Sequence, residues 1–277
     1  MKIKEIKKIC REYNFTPLRR RGQNFLINPS IVQRLIKEAE LNKDDLVLEV
    51  GPGLGALTEE ISWQAGQVVA IEIDPCLVKI LKDRTKKKEN LEIIKASIFD
   101  DLPKEVKLKN NYKVIANLPF NITGKALRIF LEQKERIKLM ILIVQREVAE
   151  RIVARPPQMS LLSLAVQFYA QAEIIFDINQ SNFWPQPQVK STVIKIIPKQ
   201  QKISPREEVL FFQIIKKGFS SKRKYLLNNL SKSVIIKKTK EELLNLFKRL
   251  DLSSQVRAQE LSLEQWLQLV RLLDRGR

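Results

Sequence analysis

Between residues 46 and 145 the chain alternates short apolar runs with amphipathic stretches. Leu46 to Val50, Gln67 to Ile73, Leu91 to Lys95, Lys113 to Asn117 and Lys138 to Gln145 are rich in β-branched and aliphatic residues and read as strands. Ala56 to Trp63 and Pro75 to Lys86 read as helices between them, the second with proline in its first turn, where the missing N–H has no partner to lose. Leu139 to Val144 is apolar without a break, which suggests a strand buried on both faces. Such alternation predicts a parallel sheet with helices on both sides. Ala172 to Ile178 and Val189 to Ile197 are expected to pair antiparallel at its end. Upstream, Ile31, Leu35 and Ile36 have helical spacing, with Asn28 and Ser30 as cap candidates around Pro29. The first thirty residues read as a basic helix or arm. After Pro198 the strand pattern stops, and Pro205 opens a Lys- and Leu-rich helical stretch. The expectation is an α/β domain over residues 1–199 and a small all-α domain over 200–277.

Charge adds a partner to this picture. The chain holds 50 Lys+Arg against 31 Asp+Glu, a formal net charge of +19, and its pI is near 9.9. Residues 1–28 carry eight basic and two acidic side chains and residues 199–277 carry eighteen and eight, so the 170 residues between hold only +3. Cations gathered at both ends of a nearly neutral core suggest a footprint for a polyanion. No apolar run is long enough to cross a bilayer, and the N-terminus has charges where a signal peptide needs an apolar stretch, so a soluble cytoplasmic protein is expected. Cys10 and Cys76 are the only cysteines and histidine is absent, which excludes a zinc site or a Cys–His nucleophile. Both cysteines are expected to be reduced and structural, and no metal is expected.

Three motifs carry chemistry. Asn117-Leu118-Pro119-Phe120 follows the β-branched pair Val114-Ile115. An amide oxygen can accept a hydrogen bond from an exocyclic amine, Pro119 bends the backbone, and Phe120 offers a face for a planar ring. The substrate expected from these residues is a nucleobase amine. Gly51, Gly53 and Gly55 stand between a strand and a helix, where the backbone can turn sharply and approach a ligand. Glu72, at the next strand end, can accept hydrogen bonds from both hydroxyls of a ribose. Gly51, Gly53 and Ala56 also satisfy a dinucleotide pattern, so a nicotinamide enzyme is an alternative. Hydride transfer usually needs a proton donor or acceptor, which a chain without histidine lacks, whereas a sulfonium methyl donor needs only proximity and alignment. S-adenosylmethionine fits better.

Read together, these residues resemble the ribosomal RNA adenine N6-dimethyltransferase family. The resemblance also includes Arg21 to Leu26, Val144 to Arg151, Phe183 to Ser191 and Phe219 to Lys224, in order along most of the chain. It implies a Rossmann-like class I methyltransferase sheet, S-adenosylmethionine as cofactor, and dimethylation of two adjacent adenosines in the 3′-terminal hairpin loop of small-subunit ribosomal RNA during ribosome biogenesis, by a monomer. It further implies that Asn24, Leu26, Gly51, Gly53, Glu72, Ile73, Ile98 and Asn117 line the cofactor site, and that Phe120 stacks on the target base. Hydrogen bonds from the adenine amine to the Asn117 side chain and the Leu118 carbonyl would favour a pyramidal nitrogen. Arg19, Arg20 and Arg21 are candidates for RNA contact. Lys222, Arg223 and Lys224 fit either phosphate contact or a solvated helix face. Ser97 stands where the family usually has an acid for the cofactor's adenine amine, with Asp100 as a possible substitute. That departure motivates a rival, a catalytically weak RNA-binding assembly factor of the same fold.

Overall fold

A computed structural model describes residues 1–18, 21–100, 111–119, 122–199 and 203–274. Its main elements are α1 (Ile3–Glu12), β1 (Phe25–Leu26), α2 (Pro29–Ala39), β2 (Leu46–Val50), α3 (Ala56–Gln64), β3 (Gln67–Glu72), α4 (Pro75–Arg84), β4 (Leu91–Lys95) and β5 (Tyr112–Asn117). There follow α5 (Thr123–Glu132), β6 (Ile137–Gln145), α6 (Arg146–Ile152), α7 (Leu161–Tyr169), β7 (Ala170–Ile178), β8 (Phe183–Trp184) and β9 (Ser191–Pro198). The chain closes with α8 (Pro205–Gly218), α9 (Leu226–Leu230), α10 (Lys240–Arg249) and α11 (Leu263–Asp274).

The chain divides into two compact units, Met1–Ala149 with Ala170–Lys199, and Glu150–Tyr169 with Gln200–Arg277. This differs from the expected single boundary near residue 200. Leu161, Leu164, Val166 and Phe168 in α7 read as core for either unit, and only packing assigns them: Leu164 and Phe168 join the core of the helical unit, where Phe168 stacks on Phe211.

In the first unit the sheet runs β4-β3-β2-β5-β6-β9-β7. The strands from β4 to β6 are parallel and β9 is antiparallel to β7, as the sequence led us to expect, and β9 also pairs antiparallel with β6. Alternate residues of the central strands point to opposite faces. Val47, Val68, Ile115, Ile141 and Ile143 share a cluster with Val32, Leu35 and Ile36 of α2 and Leu57 and Ile61 of α3. The residues between them, Leu48, Val114, Ala116, Met140 and Leu142, are equally buried, so the other face is covered too. Helix starts follow local chemistry. Asn28 caps α2 through the Ser30 N–H, and Asp74 caps α4 through the Cys76 N–H, each followed by proline.

The two-residue pairing of β1 with β8 was not expected, because so short a segment carries no periodicity. The second unit is helical among its described residues. Ser204 and Thr239 each form a capping box, with Glu207 and Glu242 respectively. Helices α8 and α11 pack around Phe211, Ile214, Trp266 and Leu269. Among the described residues no helix is long and apolar enough to cross a membrane.

Candidate active site

The strand order reverses between β2 and β5, so the chain leaves their carboxyl ends in opposite directions and opens a crevice there. Val50 pairs with Ala116, which sets the next residues, Gly51 and Asn117, side by side. Gly51 has φ 70°, and a Cβ on it would lie 3.7 Å from the Asn117 carbonyl oxygen. At Gly53, φ is 58°, and a Cβ would press to 3.0 Å on the Phe25 ring. The positive φ disfavours a larger residue at both positions, and at Gly53 a Cβ would also crowd the Phe25 ring. The crevice holds a cavity of about 310 Å³. Asn24, Leu26, Gly51, Gly53, Glu72, Ile73, Ser97, Ile98, Asn117, Pro119 and Arg21 all line it. Phe120, Arg19 and Arg20 lie outside the described residues.

Two buried carboxyls flank the glycine loop. Glu72 Oε2 accepts from Gly53 N at 3.2 Å and Oε1 from Asp74 N at 3.0 Å, so the backbone itself aims this side chain. Burial pushes its carboxyl above the usual range, and those N–H groups hold it part of the way back. Glu49, on β2, is only 1% exposed, and neither carboxyl oxygen nor the nearby Thr58 Oγ1 is in hydrogen-bonding geometry. Burial drives the Glu49 carboxyl up to about 8, and the Glu72 charge adds to it. Near neutral pH Glu49 is mostly protonated, which spares the site a second buried charge.

Asn117 Nδ2 donates to the Asn24 carbonyl at 3.1 Å. A carbonyl can only accept, so the group facing Asn24 must be the NH₂, and Oδ1 is the atom that can accept from a substrate amine. Ile122 N and Thr123 Oγ1 donate to the Pro119 carbonyl at 3.1 Å and 3.2 Å. Leu118 is buried, its N–H donates to Ile143 O at 3.2 Å, and it is not among the lining residues.

Ile73 is 60% exposed on the cavity wall, apolar surface that a planar base would cover. Ser97 Oγ accepts from Phe99 N at 3.1 Å and retains a second lone pair for a ligand. Asp100 is exposed and is not among the residues that line the cavity. Arg21 Nη1 donates to Asp74 Oδ2 at 2.6 Å, which gives this RNA-contact candidate a partner within the site. In the helical unit, Lys222, Arg223 and Lys224 are exposed on the turn between α8 and α9 and not on a helix face. Asn229 pins that turn by donating to the Gly218 and Ser221 carbonyls at 2.6 Å and 3.0 Å.

Sequence reasoning missed Gln23, Asp74 and Phe99. Gln23 and Phe99 line the cavity, Lys125 Nζ sits 4.0 Å over the Phe99 ring, and Asp74 joins the N-terminal segment to α4. Asp74 carried only a cap signal, Asp followed by Pro, which does not reveal its distant partners.

The ribosomal RNA adenine dimethylase family profile matches residues 15–275. A curated relative from Dehalococcoides mccartyi, named ribosomal RNA small subunit methyltransferase A, is 37% identical over 267 residues, covering 96% of this chain and 91% of its own. One of the same name from Alkaliphilus oremlandii is 40% identical over 235 residues, 82% of each chain. The crystal structure of a dimethyladenosine transferase from Plasmodium falciparum superposes with a TM-score of 0.79 at 25% identity, covering 91% of this chain and 98% of that one.

Proposed function

Because the chain belongs to the ribosomal RNA adenine dimethylase family, we propose that it transfers methyl groups from S-adenosylmethionine to N6 of two adjacent adenosines in the 3′-terminal hairpin loop of small-subunit ribosomal RNA, during ribosome biogenesis. The observation that carries this is the placement of Asn117 beside Gly51, with its NH₂ held by the Asn24 carbonyl and its oxygen left to accept from an amine.

The residues present fit an adenosine-bearing cofactor. Glu72 is aimed by Gly53 and Asp74 and can accept from two ribose hydroxyls, Ile73 and Ile98 offer apolar surface for an adenine ring, and Ser97 offers a neutral acceptor for its amine. A cavity of about 310 Å³ is at the lower end for such a ligand. The cofactor would supply a methyl carbon already activated by a positive sulfur, so the protein needs no strong acid or base.

What the protein must do is raise the nucleophilicity of a delocalised amine and align it. Hydrogen bonds from the two N–H groups to Asn117 Oδ1 and the Leu118 carbonyl favour a pyramidal nitrogen, whose lone pair can then face the methyl carbon. The proton leaves to solvent after transfer. Reaching N6 requires the base to leave its stack, which a hairpin loop makes cheaper than a duplex. Phe120 is proposed to restore stacking worth about 1–3 kcal/mol. Lys222, Arg223 and Lys224 are proposed phosphate contacts, a role supported by their exposure on one turn.

Incubation with labelled S-adenosylmethionine and undermethylated small subunits, followed by mass spectrometry of the RNA, tests this. Dimethyladenosine at neighbouring loop positions is expected, and Asn117→Ala should lower the single-turnover rate by about 10²–10³-fold. Tight, salt-dependent RNA binding without methyl transfer would instead favour the assembly-factor reading. Normal turnover by Asn117→Ala would remove the amine contact.

A further inference from the structure

The segment from Arg21 to Leu26 is fastened at both ends. At its start, Arg21 Nη1 and Gln23 Nε2 both donate to Asp74 Oδ2, at 2.6 Å and 3.1 Å, while Gln23 Oε1 accepts from Leu18 N at 2.7 Å. At its end, Phe25 and Leu26 pair with Trp184 and Phe183. Between the fastenings, Asn24 folds back so that its N–H and its side-chain NH₂ both reach the Gly22 carbonyl, at 2.9 Å and 3.3 Å. The Asn24 carbonyl is thereby turned to receive the Asn117 amide at 3.1 Å.

Asp74 is itself held firmly. It is 5% exposed, its Oδ1 accepts from Cys76 N at 3.0 Å, and its own N–H donates to Glu72 Oε1 at 3.0 Å. One carboxylate therefore joins the cap of α4, the Glu72 turn and the N-terminal segment. A charged acceptor shared by a guanidinium and an amide holds them more strongly than a neutral one.

We propose that Asp74 is a positioning residue for methyl transfer: by holding Arg21 and Gln23 it sets the Asn24 carbonyl, and through it the orientation of the Asn117 side-chain amide. This rests on the assignment of Asn117 as the acceptor of the substrate amine. Asp74 is 7% exposed at its side chain, so it acts from beneath the site and not on the substrate. Misplacing one reacting group by an ångström is enough to cost a large part of a rate.

Asp74→Asn separates this role from simple helix capping. Asparagine caps a helix as well as aspartate does, but it loses the charge that holds Arg21 and sets an NH₂ against the two donors. Gln23→Leu leaves the cap untouched. Each variant, in the full-length protein, is compared with wild type in single-turnover methyl transfer at saturating S-adenosylmethionine and RNA, in cofactor affinity, and in ¹⁵N-asparagine spectra. The Asn117 side-chain signal is identified by its disappearance in Asn117→Ala.

Each variant should lower the rate about 10- to 100-fold. In Asp74→Asn, whose altered side chain is not among those lining the cavity, cofactor affinity should hold within about threefold, short of the tenfold that 1.4 kcal/mol would give. The Asn117 NH₂ resonances should move, and Asp74→Asn should cause little further loss in an Asn117→Ala background, as expected of residues that act as one unit. An unchanged rate, an unmoved Asn117 signal, or losses that multiply in the double variant would overturn the proposal. If the wild type transfers no methyl group, the assigned function falls, and the spectra alone still decide whether Asp74 sets the Asn117 amide.

Discussion

The amino and carboxyl ends of the parallel strands β2, β3 and β5 treat buried ionisable groups in opposite ways. At the amino end, Lys113 Nζ reaches Asp45 Oδ2 at 2.9 Å and the Ala39 and Glu40 carbonyls at 2.9 Å and 2.7 Å, and Asp45 Oδ2 also accepts from Asn42 N at 2.8 Å. Each charge there has its counterpart and its hydrogen bonds. At the carboxyl end stand Glu49 and Glu72, and among the described residues neither has an ion-pair partner: backbone N–H groups hold Glu72, and each carboxyl meets another carboxyl's charge. Burial without a counter-charge is costly unless the group is neutralised or serves a ligand. The amino end fastens the sheet, and the carboxyl end gives up stability at the proposed site.

Removing Lys113 should give the largest effect. Lys113→Met leaves Asp45 buried, with Lys138 Nζ at 3.9 Å as its one ion-pair partner left among the described residues, and should cost about 3–5 kcal/mol in urea unfolding. The rate of methyl transfer per folded molecule should stay the same, and a selective loss of rate would erase the contrast between the two ends. Next, Glu72→Gln should weaken cofactor binding by about 1.5–3 kcal/mol in calorimetry, the worth of hydrogen bonds to a charged group. Unchanged affinity would remove Glu72 from the site.

Glu49 sharpens the comparison through pH. Its folded value of about 8 lies above the 4.5 of an ordinary glutamate, so between those limits the folded chain keeps a proton that the unfolded chain releases. Stability then falls as pH rises through that window, by up to about 1.4 kcal/mol per unit from this one group. Glu49→Gln should lose that part of the slope and gain on the wild type from pH 5 to 8. Parallel curves would mean that Glu49 is ionised in the folded state. The smallest effect is expected at Ser97, where aspartate should tighten cofactor binding by about 1 kcal/mol if the residue meets an amine.

The parallel sheet was legible because its strands, covered on both faces, appear as unbroken apolar runs such as Leu139 to Val144, and helix and strand alternate with few other solutions. The crevice was legible for a related reason: glycines after one strand and Asn-Leu-Pro after another mark the carboxyl ends where the order reverses. What could not be read was which distant groups meet. Arg21 looks like any basic residue until Asp74 is found 2.6 Å away, and Glu49 was passed over because a carboxylate in a strand gives no sign of whether a counter-charge lies beside it. The division of the chain was misplaced at residues 150–169, since an apolar helix fits either core.

The short β1–β8 ladder has a consequence for biosynthesis. Just beyond it, Asn28 and Asn182 are bonded side chain to side chain although 154 residues separate them. At synthesis rates of about 5–20 residues per second, the first strand waits roughly ten to thirty seconds for its mate to be translated. Until then one wall of the crevice has its fastening to Asp74 but not its second one, so a nascent chain on the ribosome carries its glycine loop well before the β1–β8 ladder can form.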